Sequence, residues 1–320
     1  MEFSTALNNK LIRIMNSSVT EGEFFVDNQI IPLSIGLFKE IYEKTGQPVI
    51  EPEIIEDNPD TIFAMVKRGD SLSFGVNRNA LNNDSYGFKK GYHYSANVAQ
   101  RNMRIIDLIT TIFHEERHCE QIALAKETDI KKLSPLAIIY AKELLIMTYD
   151  PQWYRQNHNK FFMEKEATLM GYGGMSDFIT GAMPNTDFAE RATRERVAGV
   201  KNMMPQIKSY FSNPSGVSFC EEISKRVDML ASSGKIDVML KEYPVLGLIY
   251  NKDGTKKSFA EVRKNITNYR TRNKEVLSQT QIIDGIELSV NSNLNNILRN
   301  IIKSDGEYKK ENESSASPIR

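Results

Sequence analysis

The side chains best suited to chemistry in this chain lie in the segment His114-Glu115-Glu116-Arg117-His118, which has the form H-E-x-x-H. Residues four apart on a helix lie one turn above one another, so both imidazoles can reach the same ion. Glu115 lies beside them, where its carboxylate can polarise a zinc-bound water. The motif uses two of the four histidines of the chain. These residue types at this spacing predict a zinc site in which Glu115 acts on water.

The motif belongs to a segment, residues 101–128, whose hydrophobic pattern predicts a long helix. Apolar residues recur at helical spacing on one face, and polar residues, including both histidines, follow another face. A helix with one face for the core and another for ligation is what a zinc site requires. The apolar face comprises Ile105, Leu108, Ile109, Ile112, Cys119 and Ala123, and the polar face comprises Asp107, Thr111, His114, His118 and Gln121.

A catalytic zinc usually has three protein ligands and a water, so the two histidines need a partner. Glu164 is the first candidate, because it lies on a helix predicted over residues 157–170. Small residues share its side of that helix, which permits close packing against the motif helix and brings the carboxylate within reach of the ion. These small residues are Ala167, Thr168 and Gly171.

Other residues remain candidates at the same site. Glu166 and His158 are alternatives for the third ligand, and His158 is also a candidate hydrogen-bond donor to the transition state. Tyr154 and Tyr172 are candidates to stabilise an oxyanion.

The motif His114-Glu115-Glu116-Arg117-His118, followed by Glu164-Lys165-Glu166-Ala167, resembles the gluzincin group of zinc metallopeptidases. In that group HExxH is followed by a second helix with Glu-x-x-Ala. The resemblance covers residues 60–172 and implies that His114, His118 and Glu164 ligate zinc, with Glu115 as general base. The chain has Thr168 where the group commonly has Asp or Asn, which leaves the choice between Glu164 and Glu166 open. The metzincin extension is absent, because residues 119–126 read CEQIALAK.

Two β-prone runs precede the motif, residues 61–67 and 71–77, and Arg68-Gly69-Asp70 between them has the composition of a hairpin turn. This segment looks like the strand that lines the substrate cleft in zincins. A helix is predicted over residues 33–45, and the composition of residues 79–100 predicts a long loop.

The chain after the motif is predicted to be mostly helical. Predicted helices cover residues 135–147, 157–170, 187–204, 219–230, 259–277 and 291–302, with breaks at 171–174, 213–216 and 251–254. Residues 243–250 are compatible with a strand or with a buried helix end.

These patterns predict an α+β fold that has a zincin-like core with a small N-terminal sheet, an active-site helix and a mostly helical C-terminal half. The predicted domains are a catalytic domain over residues 1–175, a helical region over 176–302 and a disordered tail over 303–320.

Composition limits the partners and the compartment. Lys plus Arg and Asp plus Glu both total 41, so no nucleic-acid partner is expected. Two cysteines are too few for a disulfide framework, which fits a reducing compartment. No Sec signal peptide or membrane span is expected, so the chain is predicted to be soluble, and either cytoplasmic or exported by another route. The Glu- and Ser-rich tail resembles the C-terminal signals of effectors exported by type IV secretion.

The leading hypothesis is a zinc-dependent endopeptidase that acts on a protein or peptide, with a host protein as substrate if the tail is an export signal. One alternative is a non-catalytic helical binding module whose metal is structural or absent. A second is a zinc amidase that acts on a non-protein amide. A further alternative for the motif itself is an exposed helical face on which Glu116 and Arg117 are merely solvated.

Overall fold

The computed structural model describes residues 2–17, 23–44, 51–56, 63–68, 71–82, 98–128, 136–258 and 260–262. This part of the chain is mostly helical with one small sheet, which places it broadly in the α+β class. Its α-helices are α1 (Thr5–Asn16), α2 (Glu23–Phe25), α3 (Ile31–Lys44), α4 (Arg78–Asn82), α5 (Val98–Lys126), α6 (Ala137–Tyr149), α7 (Pro151–Asn157), α8 (Phe162–Ala182), α9 (Asp187–Ser212), α10 (Pro214–Leu230) and α11 (Ile236–Glu242). Val26–Ile30 and Ala231–Lys235 are π-helical, and His158–Lys160 and Pro244–Leu248 are 3-10 helices.

The sheet has three strands, β1 (Glu53–Ile55), β2 (Phe63–Arg68) and β3 (Ser71–Asn77), in the order β1-β3-β2. Strands β2 and β3 are antiparallel, with Phe63 opposite Val76 and Arg68 opposite Ser71, so the predicted hairpin is confirmed. The three-residue strand β1 runs parallel to β3 along its other edge. A strand this short carries no alternation pattern, and the sequence did not predict it.

Contacts between residues divide the chain into two compact units, and α5, α8 and α9 contribute residues to both. Unit 1 comprises Met1–Glu120 and Ala167–Asn202, and unit 2 comprises Gln121–Glu166 and Met203–Arg320. Each unit is therefore discontinuous in sequence. The division of the chain at residues 175 and 302 into functional domains stays a prediction.

The core of unit 1 joins the sheet to the motif helix. Phe38 of α3 stacks on Phe74 of β3 with ring centroids 3.9 Å apart, and Phe74 stacks on Phe63 of β2. The apolar face predicted for the motif helix packs into the same cluster, because burying it removes hydrocarbon from water. Five of its six residues are buried, namely Ile105, Leu108, Ile109, Ile112 and Cys119, whereas Ala123 is half-buried.

The core of unit 2 surrounds α6, in which every residue from Ala137 to Ile146 is buried. Two of these residues, Lys142 and Glu143, are ionisable, and each has a hydrogen-bond partner, as a buried polar group requires. Nζ of Lys142 donates to Oγ of Ser224 at 3.1 Å. Burial, together with the positive charge of Lys256, lowers the pKa of Lys142 to about 7.

The predicted break at residues 171–174 is wrong, because α8 continues through it to Ala182. Gly171 and Gly174 allow close helix packing and do not form a turn. A Cβ atom at Gly171 would lie 2.7 Å from the carbonyl oxygen of Thr110, and one at Gly174 would lie 2.2 Å from the ring of Phe113. Only a residue without a side chain allows this approach.

Most other predicted helices are confirmed with shifted ends. The helices predicted over residues 33–45, 101–128, 135–147, 187–204 and 219–230 correspond to α3, α5, α6, α9 and α10. The one predicted over residues 157–170 begins later, at Phe162, after a 3-10 turn. Within residues 243–250 no strand forms: Pro244–Leu248 is a 3-10 helix, and Tyr250 pairs with Lys256 in an isolated antiparallel bridge.

Several sequence predictions fall outside the described residues. These are most of the long loop, the helices predicted over residues 259–277 and 291–302, except for residues 260–262, and the tail over 303–320. Among the helices that the structure describes, none has both the length and the apolar content needed to cross a bilayer.

Candidate metal centre

The two motif histidines present the same ring nitrogen to each other on α5. Nε2 of His114 and Nε2 of His118 lie 3.0 Å apart, and the ring planes meet at 88°. Two nitrogens bound to one zinc ion at ~2.0–2.1 Å in a tetrahedral site lie about 3.3 Å apart. The imidazoles therefore need to separate by only a few tenths of an ångström to share a metal.

The motif does not lie on a solvated face of the helix. Glu116 and Arg117 are each only 5% exposed, and Arg117 forms an ion pair with Glu120 one turn later. The alternative in which these two residues are merely solvated is therefore wrong. His114, Glu115 and His118 are partly exposed, so the ligand face retains access to solvent.

The second nitrogen of His114 contacts a residue of another helix. Oγ1 of Thr168 on α8 lies 3.2 Å from Nδ1 of His114. A hydroxyl that accepts from Nδ1–H keeps the proton on that nitrogen and leaves the lone pair of Nε2 for a metal. Thr168, which stands where gluzincins commonly have Asp or Asn, thus has the position of an outer partner to a ligand.

Helices α5 and α8 run antiparallel and approach closely, as contacts within each unit show. In unit 1, Gly171 lies against Thr110, and Thr168 lies against His114. In unit 2, Nε2 of Gln121 donates to the carbonyl oxygen of Met163 at 3.0 Å. As residue numbers increase along α5, the numbers of the contacting residues on α8 decrease, which is the pattern of antiparallel helices.

Glu164 lies in the stretch of α8 that these contacts bracket, as His118 does on α5. One ligand atom from each of His114, His118 and Glu164 lies within 4.8 Å of the others. These three residues can hold a metal ion, and they are the one such group of His, Cys, Asp or Glu within the described residues. Two imidazoles and a carboxylate match a common ligand set of catalytic zinc sites.

Two side chains from the preceding turns contact the Glu164 carboxylate. The hydroxyl of Tyr154 donates to Oε1 at 2.6 Å, and Nε2 of His158 lies 3.1 Å from the same oxygen. Tyr154 lies on α7, and Asp150 caps the start of that helix by accepting from the backbone N–H of Trp153, just before Pro151 at the first helical position. Both contacts therefore hold Oε1 of a carboxylate that is only 6% exposed.

The remaining candidate residues are outside the group of three and have other partners. Glu166 is fully buried, and its Oε2 accepts from Gln121, so this carboxylate is engaged in the core of unit 2. His158 contacts Glu164 and is not part of the group of three. Tyr172 packs over Gly199 in unit 1, where burial raises its pKa and the carboxylates of Asp107 and Glu195 raise it further.

Glu143 helps to position Glu164, and the sequence analysis does not predict this role. The buried carboxylate of Glu143 on α6 accepts from the backbone N–H groups of Phe162 and Met163, each at 2.9 Å, and from the hydroxyl of Tyr210 at 2.6 Å. It therefore caps the first turn of α8, one residue before Glu164. Burial raises the pKa of Glu143 to about 7, while these hydrogen bonds oppose the shift. The hint in the sequence is an acid within the apolar run AIIYAKELLIM.

Comparison with known proteins adds no family to this description. A scan against protein-family models and searches of curated proteins and of solved structures found no match for the chain. The functional argument therefore rests on the geometry of the site.

Proposed function

We propose that this chain is a zinc-dependent peptidase in which His114, His118 and Glu164 hold the metal and Glu115 is the general base. The observation that carries the proposal is the approach of Glu164 to the two histidines, because a third protein ligand distinguishes a metal centre from an isolated HExxH pattern.

The donor set favours zinc over the other common biological metals. Imidazole nitrogen with one carboxylate suits a borderline ion, whereas calcium and magnesium take oxygen ligands. The neighbouring thiol is a poor ligand, because burial raises the pKa of Cys119 well above its ordinary value and the negative charges of Glu116 and Glu115 raise it further.

Zinc in such a site lowers the pKa of a coordinated water to about 7. Glu115 follows the first ligand on α5, and in the proposed reaction its carboxylate removes a proton from the attacking water. The water oxygen bonds to the peptide carbonyl carbon, the C–N bond breaks, and Glu115 returns the proton to the leaving amine. Tyr154 and His158 contribute by holding the Glu164 carboxylate in place.

The test compares Glu115→Gln with Glu190→Gln, which removes the same charge from an exposed position on α9. Each protein is loaded with zinc, and cleavage of a diverse peptide library is followed by mass spectrometry. The Glu115→Gln variant should keep one zinc per chain and lose ~10²-fold or more of its turnover. Glu190→Gln should cleave as the unmodified protein does. Cleavage by Glu115→Gln at the rate of the unmodified protein would contradict the assignment of Glu115 as general base.

The same experiment separates the other two hypotheses. A zinc-loaded protein that cleaves no peptide but hydrolyses a non-protein amide would be an amidase. A protein that retains no zinc, or whose function resists a chelator, would be a binding module.

A further inference from the structure

Unit 2 contains a cavity of about 500 Å³ that none of the three proposed metal ligands lines. Its walls come from the turn before α8, from α8 itself, and from the adjoining ends of α9 and α10. Lys160, Lys165, Ser209, Ser215, Ser218 and Phe219 are among the lining residues. The walls are thus rich in cationic and hydroxyl donors.

The charge of the lining is positive. Lys160 and Lys165 contribute two ammonium groups, and Glu222 contributes one carboxylate. That carboxylate already has a counter-ion outside the lining, because Nε of Arg226 donates to its Oε1 at 2.9 Å. A ligand in the cavity therefore meets two cations and no uncompensated anion among these residues.

Among the described residues, the ammonium group of each lysine donates one hydrogen bond. Nζ of Lys160 donates to Oδ1 of Asn157 at 3.0 Å, and Nζ of Lys165 donates to the carbonyl oxygen of Asn159 at 2.6 Å. An ammonium group carries three N–H donors, and each of these bonds uses one.

Closely packed helices and aromatic rings form the walls of the cavity, which favours a preformed site. A Cβ atom at Gly216 would lie 2.3 Å from the carbonyl oxygen of Ser209, so only glycine lets the start of α10 pack against α9 here. Phe219 stacks on Trp153 with ring centroids 5.3 Å apart and meets Phe161 edge to face.

We propose that this cavity binds an anionic group, a carboxylate or a phosphate, through the ammonium groups of Lys160 and Lys165 with serine hydroxyls as additional donors. Charge-assisted hydrogen bonds from two cations supply the affinity, and the hydroxyls accommodate the remaining acceptor oxygens. This binding does not depend on the identity of the metal or on hydrolysis.

The chain offers an internal reporter for the test. Trp153 is the only tryptophan, and its partner Phe219 lines the cavity. Tryptophan fluorescence of the full chain is titrated with inorganic phosphate and, separately, with succinate. A chelator is present throughout, because both anions also bind zinc. Saturable titration is expected, with affinity that falls as salt is added.

Lys160→Met and Lys165→Met should each weaken binding about tenfold or more. Lys160 is exposed, so its variant keeps the fold even if the more buried Lys165 does not tolerate substitution. Lys241→Met, which removes an exposed cation elsewhere in unit 2, is the matched control and should bind as the unmodified protein does.

The two probes distinguish the sources of the anion. Saturation by phosphate alone identifies a phosphate site, saturation by succinate alone identifies a carboxylate site, and saturation by both supports the shared chemistry. Saturation by neither, or equal affinity in Lys160→Met and Lys241→Met, overturns the proposal.

Discussion

The hydroxyl oxygen of Thr168 lies 3.2 Å from Nδ1 of His114, whose other ring nitrogen faces His118 at 3.0 Å. The imidazole of His114 thus contacts Thr168 through one ring nitrogen and the second motif histidine through the other. Such a hydrogen bond orients the ring and selects the tautomer that binds metal.

Removing the Thr168 hydroxyl should weaken the metal centre without unfolding the protein. Thr168→Ala should lower zinc affinity ~10-fold to 100-fold, as loss of an outer partner usually does. Thr180→Ala is the matched control, since this threonine is on the same helix and its hydroxyl donates to its own helix at Ser176. Competition with a zinc-selective dye measures the zinc affinity of both variants. Equal affinities would show that the contact has no role in ligation.

The two acidic residues near the start of α8 should differ in their effect on zinc. Glu164→Gln replaces a carboxylate ligand by a neutral amide and should lower zinc affinity more than ~100-fold. Glu166→Gln should leave it unchanged, because that side chain bonds to Gln121 in the core. Equilibrium dialysis with metal analysis decides between them. The reverse order would make Glu166 the ligand.

Close helix packing should depend on Gly171. Gly171→Ala places a methyl group 2.7 Å from the Thr110 carbonyl oxygen and should lower the free energy of unfolding by ~1–3 kcal/mol. Gly181→Ala on the same helix meets nothing within 4 Å, so it should be neutral or stabilising by up to about 1 kcal/mol. Urea unfolding of both variants tests this pair. A neutral Gly171→Ala would mean that α5 and α8 are further apart.

The buried amine of Lys142 should make stability depend on pH. Its pKa is lowered from 10.5 to about 7 in the folded state, so between these values the unfolded chain binds more protons. The free energy of unfolding should therefore rise with pH over this window, by up to ~1.4 kcal/mol per pH unit. Lys142→Met should remove that rise, whereas Lys241→Met should retain it. Unfolding curves of the unmodified protein and both variants at pH 7, 8 and 9 provide the comparison. If the free energy of unfolding changes with pH in the same way in all three proteins, the prediction is contradicted.

Local periodicity was enough to predict the motif helix and its buried face. Ligation by His114 and His118 needs only two histidines four residues apart on one helix, and this spacing can be read directly from the sequence. Strands β2 and β3 were equally accessible, because a hairpin is a local structure with its own turn composition.

Contacts between distant residues were harder to predict. The sequence predicts a helix break at Gly171, since glycine is common both in turns and at close helix contacts, and only the position of Thr110 distinguishes the two. Glu143 caps α8 by accepting from backbone N–H groups that lie 19 and 20 residues later in the chain. A contact of this kind produces no periodic pattern in a single sequence. The choice of Glu164 over Glu166 likewise depends on which side of α8 faces α5.

Zinc bound by His114, His118 and Glu164 is the premise of the proposed hydrolysis, and X-ray absorption at the zinc edge of the metal-loaded protein tests it directly. The expected spectrum comes from one zinc per chain with two imidazole nitrogens at ~2.0–2.1 Å and oxygen neighbours at ~2.0–2.2 Å. Replacing His114 by Ala should remove one imidazole contribution or the metal itself. A sulfur neighbour at ~2.3 Å, or an unchanged spectrum in His114→Ala, would contradict the site.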